Sequence, residues 1–127
     1  MDSINPEPMA QGWSEVTLQK VITAFQRLAG RDNVKVIPLD QIAYIRASNN
    51  YSELHTTDGA CFVHDKSLQN LQLILPASFK RIHRSYMCNW QLVQNLFNHG
   101  SGKYELELTT KQRLPISRTR YAALKQQ

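Results

Sequence analysis

"QIAYIRASNNYSELHTTDGACFVHD", residues 41–65, decides the fold class of this chain. "QIAYIRA" and "YSELHTT" read as two short strands joined at Ser48-Asn49-Asn50, because β-branched and aromatic residues alternate with polar ones. "TDGA" then reads as a tight turn, since Asp-Gly is a strong hairpin signal, and "CFVHD" returns as the next strand.

Working outward, "VKVIPL" reads as a strand ended by Pro38, which cannot donate to a ladder. Downstream, Asp65 is placed to cap "KSLQNLQLIL", where Leu68, Leu71 and Leu75 share one helical face before Pro76 stops the helix. "WQLVQNLFN" is a mostly apolar run and "HGSGK" a loop. "YELELTT" sets Tyr104, Leu106 and Leu108 against Glu105 and Glu107, the pattern of a half-exposed strand. "QRLPIS" is the last strand, and Ser117 caps a closing helix, "RTRYAALK".

At the front, residues 1–12 carry Pro6, Pro8 and Gly12 and read as a leader. "WSEVTLQKVITAFQRLAG" reads as an amphipathic helix over 14–29, with Ser14 as N-cap and Gly30 as stop. Leu18, Val21, Ile22, Phe25 and Leu28 recur at spacings of three and four. That face packs on the domain's own core or serves as a dimer seam or dock. The expected organisation is therefore a leader and helix over 1–33 and a domain over 34–127. The class is mostly β, all-β or α+β, with short helices.

A length of 127 residues fits one domain, and 42% hydrophobic residues make it globular. No apolar run approaches the ~20 residues that span a bilayer, and "MDSINPEPMAQGW" has neither region of a secretory signal. Two cysteines, Cys61 and Cys88, are too few for a disulfide scaffold. A cytoplasmic protein with reduced thiols and no membrane partner is expected.

The charge is uneven. The whole chain carries +5, but residues 80–127 hold nine Lys and Arg against Glu105 and Glu107, a balance of +7. That asymmetry points to an anionic partner. Catalysis has little to work with. A Ser85 or Cys88 nucleophile needs a base and an orienting carboxylate, and beyond Asp65 only those two glutamates are present. No phosphate-cradling or dinucleotide-binding glycine motif occurs, so no cofactor is expected. His55, His64, His83 and His99 form no HxxxH, and no CxxC occurs. Cys61 and His64 point to opposite faces of a strand, and no metal site is expected.

Three clusters have the chemistry to hold nucleic acid. Asn49, Asn50, Tyr51 and Ser52 offer amides and hydroxyls at a strand junction. "KRIHRSYMCN" brings Lys80, Arg81, His83, Arg84 and Ser85 together, with Ile82, Tyr86 and Met87 as core anchors, Cys88 as packing and Asn89 as a turn or backbone-bonding residue. "SRTRY" places Ser117, Arg118 and Arg120 at a helix start. Arginine forks suit phosphate oxygens and guanine edges. Single-strand or RNA binding is the alternative, with Tyr51, Tyr86 and Trp90 as stacking rings. A protein-interaction module using helix 14–29 is the other.

The blocks "IPLDQIAYIRASNNYSELHTTDG", "SLQNLQLILPASFKRIHRSYMCNWQLV" and "YELELTTKQRLPISRTRYAALK" resemble the LytTR-type DNA-binding domain of bacterial transcriptional regulators, over about residues 34–127. The resemblance implies an elongated arrangement of small sheets with short helices. It implies a non-enzymatic, sequence-specific regulator that binds duplex DNA through loops at Asn49 to Ser52, at Arg84 within "HRS", and at Arg118 with Arg120 beside it. Some members carry a basic or imidazole side chain near position 52, where this chain has Ser52 and then Glu53, so its base preference is expected to differ. A homodimer on repeated half-sites, coupled by helix 14–29 or by the DNA itself, is a further expectation, and the resemblance also implies an upstream signalling domain. That domain is usually a phosphoacceptor receiver. The 33 leader residues are too few for one, so either a stand-alone regulator or a piece of a longer chain is expected.

Overall fold

The computed structural model describes residues 20–28 and 30–125. Among these residues ten strands form two sheets, one of seven strands and one of three. In chain order the large sheet takes β1 (Val21–Leu28), β2 (Arg31–Pro38), β3 (Ile42–Ser48), β4 (Tyr51–Thr56) and β5 (Cys61–His64). Helix α1 (Leu68–Ile74) follows, and then β6 (Phe79–His83) and β7 (Tyr86–Asn89). The small sheet is β8 (Val93–Asn98), β9 (Tyr104–Leu108) and β10 (Arg113–Ile116), and α2 (Arg118–Leu124) closes the chain. The large sheet runs β2-β1-β5-β4-β3-β7-β6 and the small one β10-β9-β8, with every pairing antiparallel.

The hairpin predicted at Asp58-Gly59 forms. His55 faces Cys61 across it, Gly59 has φ +91°, and the Gly59 N–H donates to the Thr56 carbonyl at 3.1 Å. The leucine-rich helix also forms, with Leu68 and Leu71 buried. Its cap is Ser67, not Asp65. The Ser67 hydroxyl accepts the Asn70 N–H at 3.3 Å, and Ser67 stands one residue before the first helical position, where a cap belongs.

The front of the chain departs from expectation. Residues 21–28 are a strand, not the second half of a helix. Val21, Ile22, Thr23 and Phe25 are strand formers, and the burial follows period two, with Ile22 and Ala24 inside and Thr23 and Phe25 outside. Gly30, read as a helix stop, has φ +77° in the turn between β1 and β2. The N-cap expected at Ser14 and the apolar position Leu18 lie outside the described residues.

Two cores form on opposite faces of the large sheet. Neighbours on a strand point to opposite faces, and Met87 accordingly enters one core and Cys88 the other. The first core holds Ile22, Ile37, Ile45, Leu54 and Phe62 under α1. The second holds Ile82 and Cys88 against Leu106, Leu108, Leu114 and Ile116 of the small sheet and Leu124 of α2. No helix among the described residues is long and apolar enough to cross a membrane. Burial pushes the Cys88 thiol up to about 12, whereas Cys61 is exposed. Iodoacetamide at neutral pH should therefore label Cys61 alone in the folded protein, and Cys88 only after unfolding. Peptide mapping before and after denaturant checks this.

Candidate nucleic-acid interface

The three basic and polar clusters are far apart in sequence. Ladder register brings their backbones to one end of the large sheet. Arg46 of β3 faces Tyr86 of β7, so the Asn49-Asn50 turn after β3 and the Arg84-Ser85 turn before β7 lie side by side. The Ala47 N–H donates to the Ser85 carbonyl at 2.9 Å. The start of α2 docks on β6, where the Ser117 N–H donates to the Ile82 carbonyl at 2.9 Å and Arg120 Nη1 to the Arg81 carbonyl at 3.3 Å.

The Arg84-Ser85 turn is held by side chains. Two-residue hairpin loops normally use positive φ, yet neither Arg84 nor Ser85 has it. Instead Arg81 donates from Nε to the His83 carbonyl at 2.9 Å, from Nη2 to the Arg84 carbonyl at 2.6 Å, and from Nη1 to Gln72 of α1 at 3.2 Å. His83 Nδ1 accepts the Ser85 N–H at 3.1 Å. That bond leaves the lone pair on Nδ1 and the proton on Nε2. Burial first, then Arg84 and Arg81, keep the His83 imidazole below its ordinary pKa, so it serves as a neutral donor. All three Arg81 nitrogens are thus spent on protein groups. Its guanidinium braces the loop that carries Arg84.

The neighbouring turn is simpler. Asn49 has φ +57°, a left-handed conformation that asparagine tolerates. Asn49, Asn50 and Tyr51 are exposed. Ser52 is not available, because it is 0% exposed and donates its hydroxyl to the Lys66 carbonyl at 2.7 Å. Ser117 is corrected in the same way: its N–H is taken by Ile82, and its hydroxyl is buried with no hydrogen-bond partner among the described residues. Lys80 lies near the start of β6, away from the turn, with Nζ 3.4 Å from the Ala77 carbonyl.

Arg118 is seated by a residue that the sequence reading left unassigned. A Cβ built on Gly102, in the β8–β9 loop, would lie 2.8 Å from Arg118 Cζ and 2.9 Å from its Nη2. Gly102 has φ +75°. Gly102→Ala should cost about 1–2 kcal/mol for a side chain in the left-handed region and push the guanidinium off its seat. A lower urea midpoint and a shifted Arg118 resonance are the expected readouts.

Electrostatics separate this end from the rest. Arg46 pairs with Glu53 at 3.1 Å and Arg113 with Glu105 at 3.5 Å. Among the described residues, Arg81, Arg84, Arg118 and Arg120 make no ion pair with a carboxylate. Burial first, and then the neighbouring Arg120 cation, hold the Arg81 guanidinium below its usual value. A cluster of uncompensated cations at loops and a helix start is built to meet an anion.

The family described as the LytTr DNA-binding domain matches residues 32–127. The chain belongs to the LytTR family. This LytTR domain is also similar in structure to one described as the LytTr DNA-binding domain of a Bacillus cereus methyl-accepting/DNA response regulator. The TM-score is 0.74 at 21% identity, over 84% of this chain and 94% of that one. At that identity the likeness bears on the fold alone, a mostly β arrangement of two sheets with short helices. Among curated proteins none matches the chain.

Proposed function

We propose that this LytTR domain is the sequence-specific, double-stranded DNA-binding part of a transcriptional regulator, and that it acts by binding and not by catalysis. One observation carries the proposal. Arg84, Arg118 and Arg120, with Arg81 behind them, gather at one end of the sheet without carboxylate partners among the described residues. Arg84 and Arg118 then reach base edges, Arg120 reaches phosphate, and Asn49, Asn50 and the neutral His83 supply directional hydrogen bonds. Two protomers on repeated half-sites, and an upstream signalling domain, complete the reading. A DNA partner places its work in the cytoplasm.

Selection from a random duplex pool should enrich one motif. Binding to that motif should weaken steeply with salt, with a log–log slope of about −0.9 per phosphate contacted. The single-strand alternative needs exposed rings for stacking. Tyr51 is 53% exposed, but Tyr86 and Trp90 pack against the second core. Single strands should therefore fail to displace a labelled duplex. Equal competition by single strands, or a pool with no enriched motif, would refute the proposal.

A further inference from the structure

The β4–β5 hairpin brings together three side chains that the arginine cluster does not use. Glu53 and His55 are two residues apart on β4 and share a face. Cys61 stands directly opposite His55 on β5. His55 Nε2 lies 3.1 Å from Glu53 Oε1 and 3.9 Å from Cys61 Sγ, and the three donor atoms fall within 4.8 Å of one another.

We propose that Glu53, His55 and Cys61 form a binding site for a divalent cation of the zinc class. Tetrahedral zinc, with bonds of about 2.0–2.3 Å to O, N and S, spaces its ligand atoms about 3.3–3.5 Å apart. The two edges at His55 lie within a few tenths of an ångström of that spacing, and the Glu53–Cys61 edge, no longer than 4.8 Å, closes by rotation of the exposed Cys61 side chain. A mixed sulfur, nitrogen and oxygen set suits zinc or cobalt, whereas magnesium and calcium select oxygens.

The surroundings fit. The Tyr44 ring stacks on the His55 imidazole, with centroids 4.4 Å apart and 3° between planes, and so fixes the plane in which Nε2 points. Arg46 holds both oxygens of Glu53, donating from Nε to Oε1 at 3.1 Å and from Nη2 to Oε2 at 3.3 Å, which orients the carboxylate as a supporting hydrogen bond does in known sites. Cys61 is exposed, which leaves a way in for the ion and a fourth position for water. On loading, the Cys61 thiol releases its proton to solvent as the metal–sulfur bond forms, and the proton that His55 Nε2 shares with Glu53 passes to Nδ1, freeing the Nε2 lone pair for the metal.

Cobalt(II) titrated into the full chain, with its thiols reduced, tests the site. One equivalent should bind with a thiolate-to-cobalt charge-transfer band, and zinc should displace it. Cys61→Ser should abolish the band and, like His55→Gln, weaken binding by at least about 100-fold, the upper end of what losing a supporting hydrogen bond costs. His64→Gln and His99→Gln remove the other histidines that lie beside carboxylates and should change neither readout. Zinc should also protect Cys61 of the unsubstituted protein from iodoacetamide, a result that needs no variant to fold. Cobalt bound without the band, a band that survives Cys61→Ser, loss confined to the His64 or His99 variants, or no protection of Cys61 would each overturn the proposal.

Discussion

Ile82→Ala is expected to destabilise the fold by about 2–5 kcal/mol, the range for a buried isoleucine cut to alanine without full collapse of the site. Ile82 is 0% exposed and packs in the core shared by the small sheet and α2. It also lies where the β6–β7 register shifts between Arg81 and His83, a bulge that turns the strand locally. Its carbonyl accepts the Ser117 N–H that docks α2. One residue thus joins β6, the small sheet and the helix that carries Arg118 and Arg120. A urea midpoint lowered at unchanged m is the expected result. Leu73, exposed on α1, is the control, and Leu73→Ala should stay within about 0.5 kcal/mol. A loss below about 1 kcal/mol at Ile82 would mean that the small sheet repacks freely against β6.

How legible such features were in the sequence depended on whether the decisive contact was local. The Asp58-Gly59 hairpin and α1 were readable because turn chemistry and a three-and-four spacing act within a few residues. The core anchors in "KRIHRSYMCN" were readable too. Ile82, Met87 and Cys88 are buried, and Asn89 donates to the Ile42 carbonyl at 3.2 Å and accepts the Gln91 N–H. Residues 21–28 misled because Val21, Ile22, Phe25 and Leu28 also satisfy helical spacing. Pairing with Arg31–Pro38 decides between the two, and a helix period cannot reveal a strand partner.

The interface was legible in composition but not in assignment. Charge picked out segments that the fold brings to one end of the large sheet. It could not say that Arg81 is consumed by carbonyls, that Ser52 turns inward to Lys66, or that Gly102 seats Arg118, because each depends on contacts between distant segments. The Glu53–His55–Cys61 group was missed for a different reason. The sequence carries no HxxxH or CxxC ligand pair, whereas a hairpin pairs residues symmetrically about its turn. The Asp58-Gly59 turn, already read, places 55 opposite 61.

Arg84→Ala is expected to weaken binding to the selected duplex by about 1–3 kcal/mol, roughly 5- to 150-fold, with a much smaller loss on random duplex. Arg84 is exposed at the tip of the β6–β7 hairpin, and an arginine so placed can fork onto a guanine edge. Equal losses on both duplexes would instead make it a phosphate contact, since phosphates carry no sequence. Arg81 supplies the control that geometry allows. Its guanidinium holds the Arg84 carbonyl at 2.6 Å and the His83 carbonyl at 2.9 Å, so Arg81→Ala should loosen the same loop and lower specific affinity through Arg84. Once Arg84 is already alanine, removing Arg81 should then cost little more. The two losses should be strongly non-additive in a double-mutant cycle, as expected for residues that share one structure. Additive losses would mean that Arg81 meets DNA independently, and the clamp would then be incidental to binding.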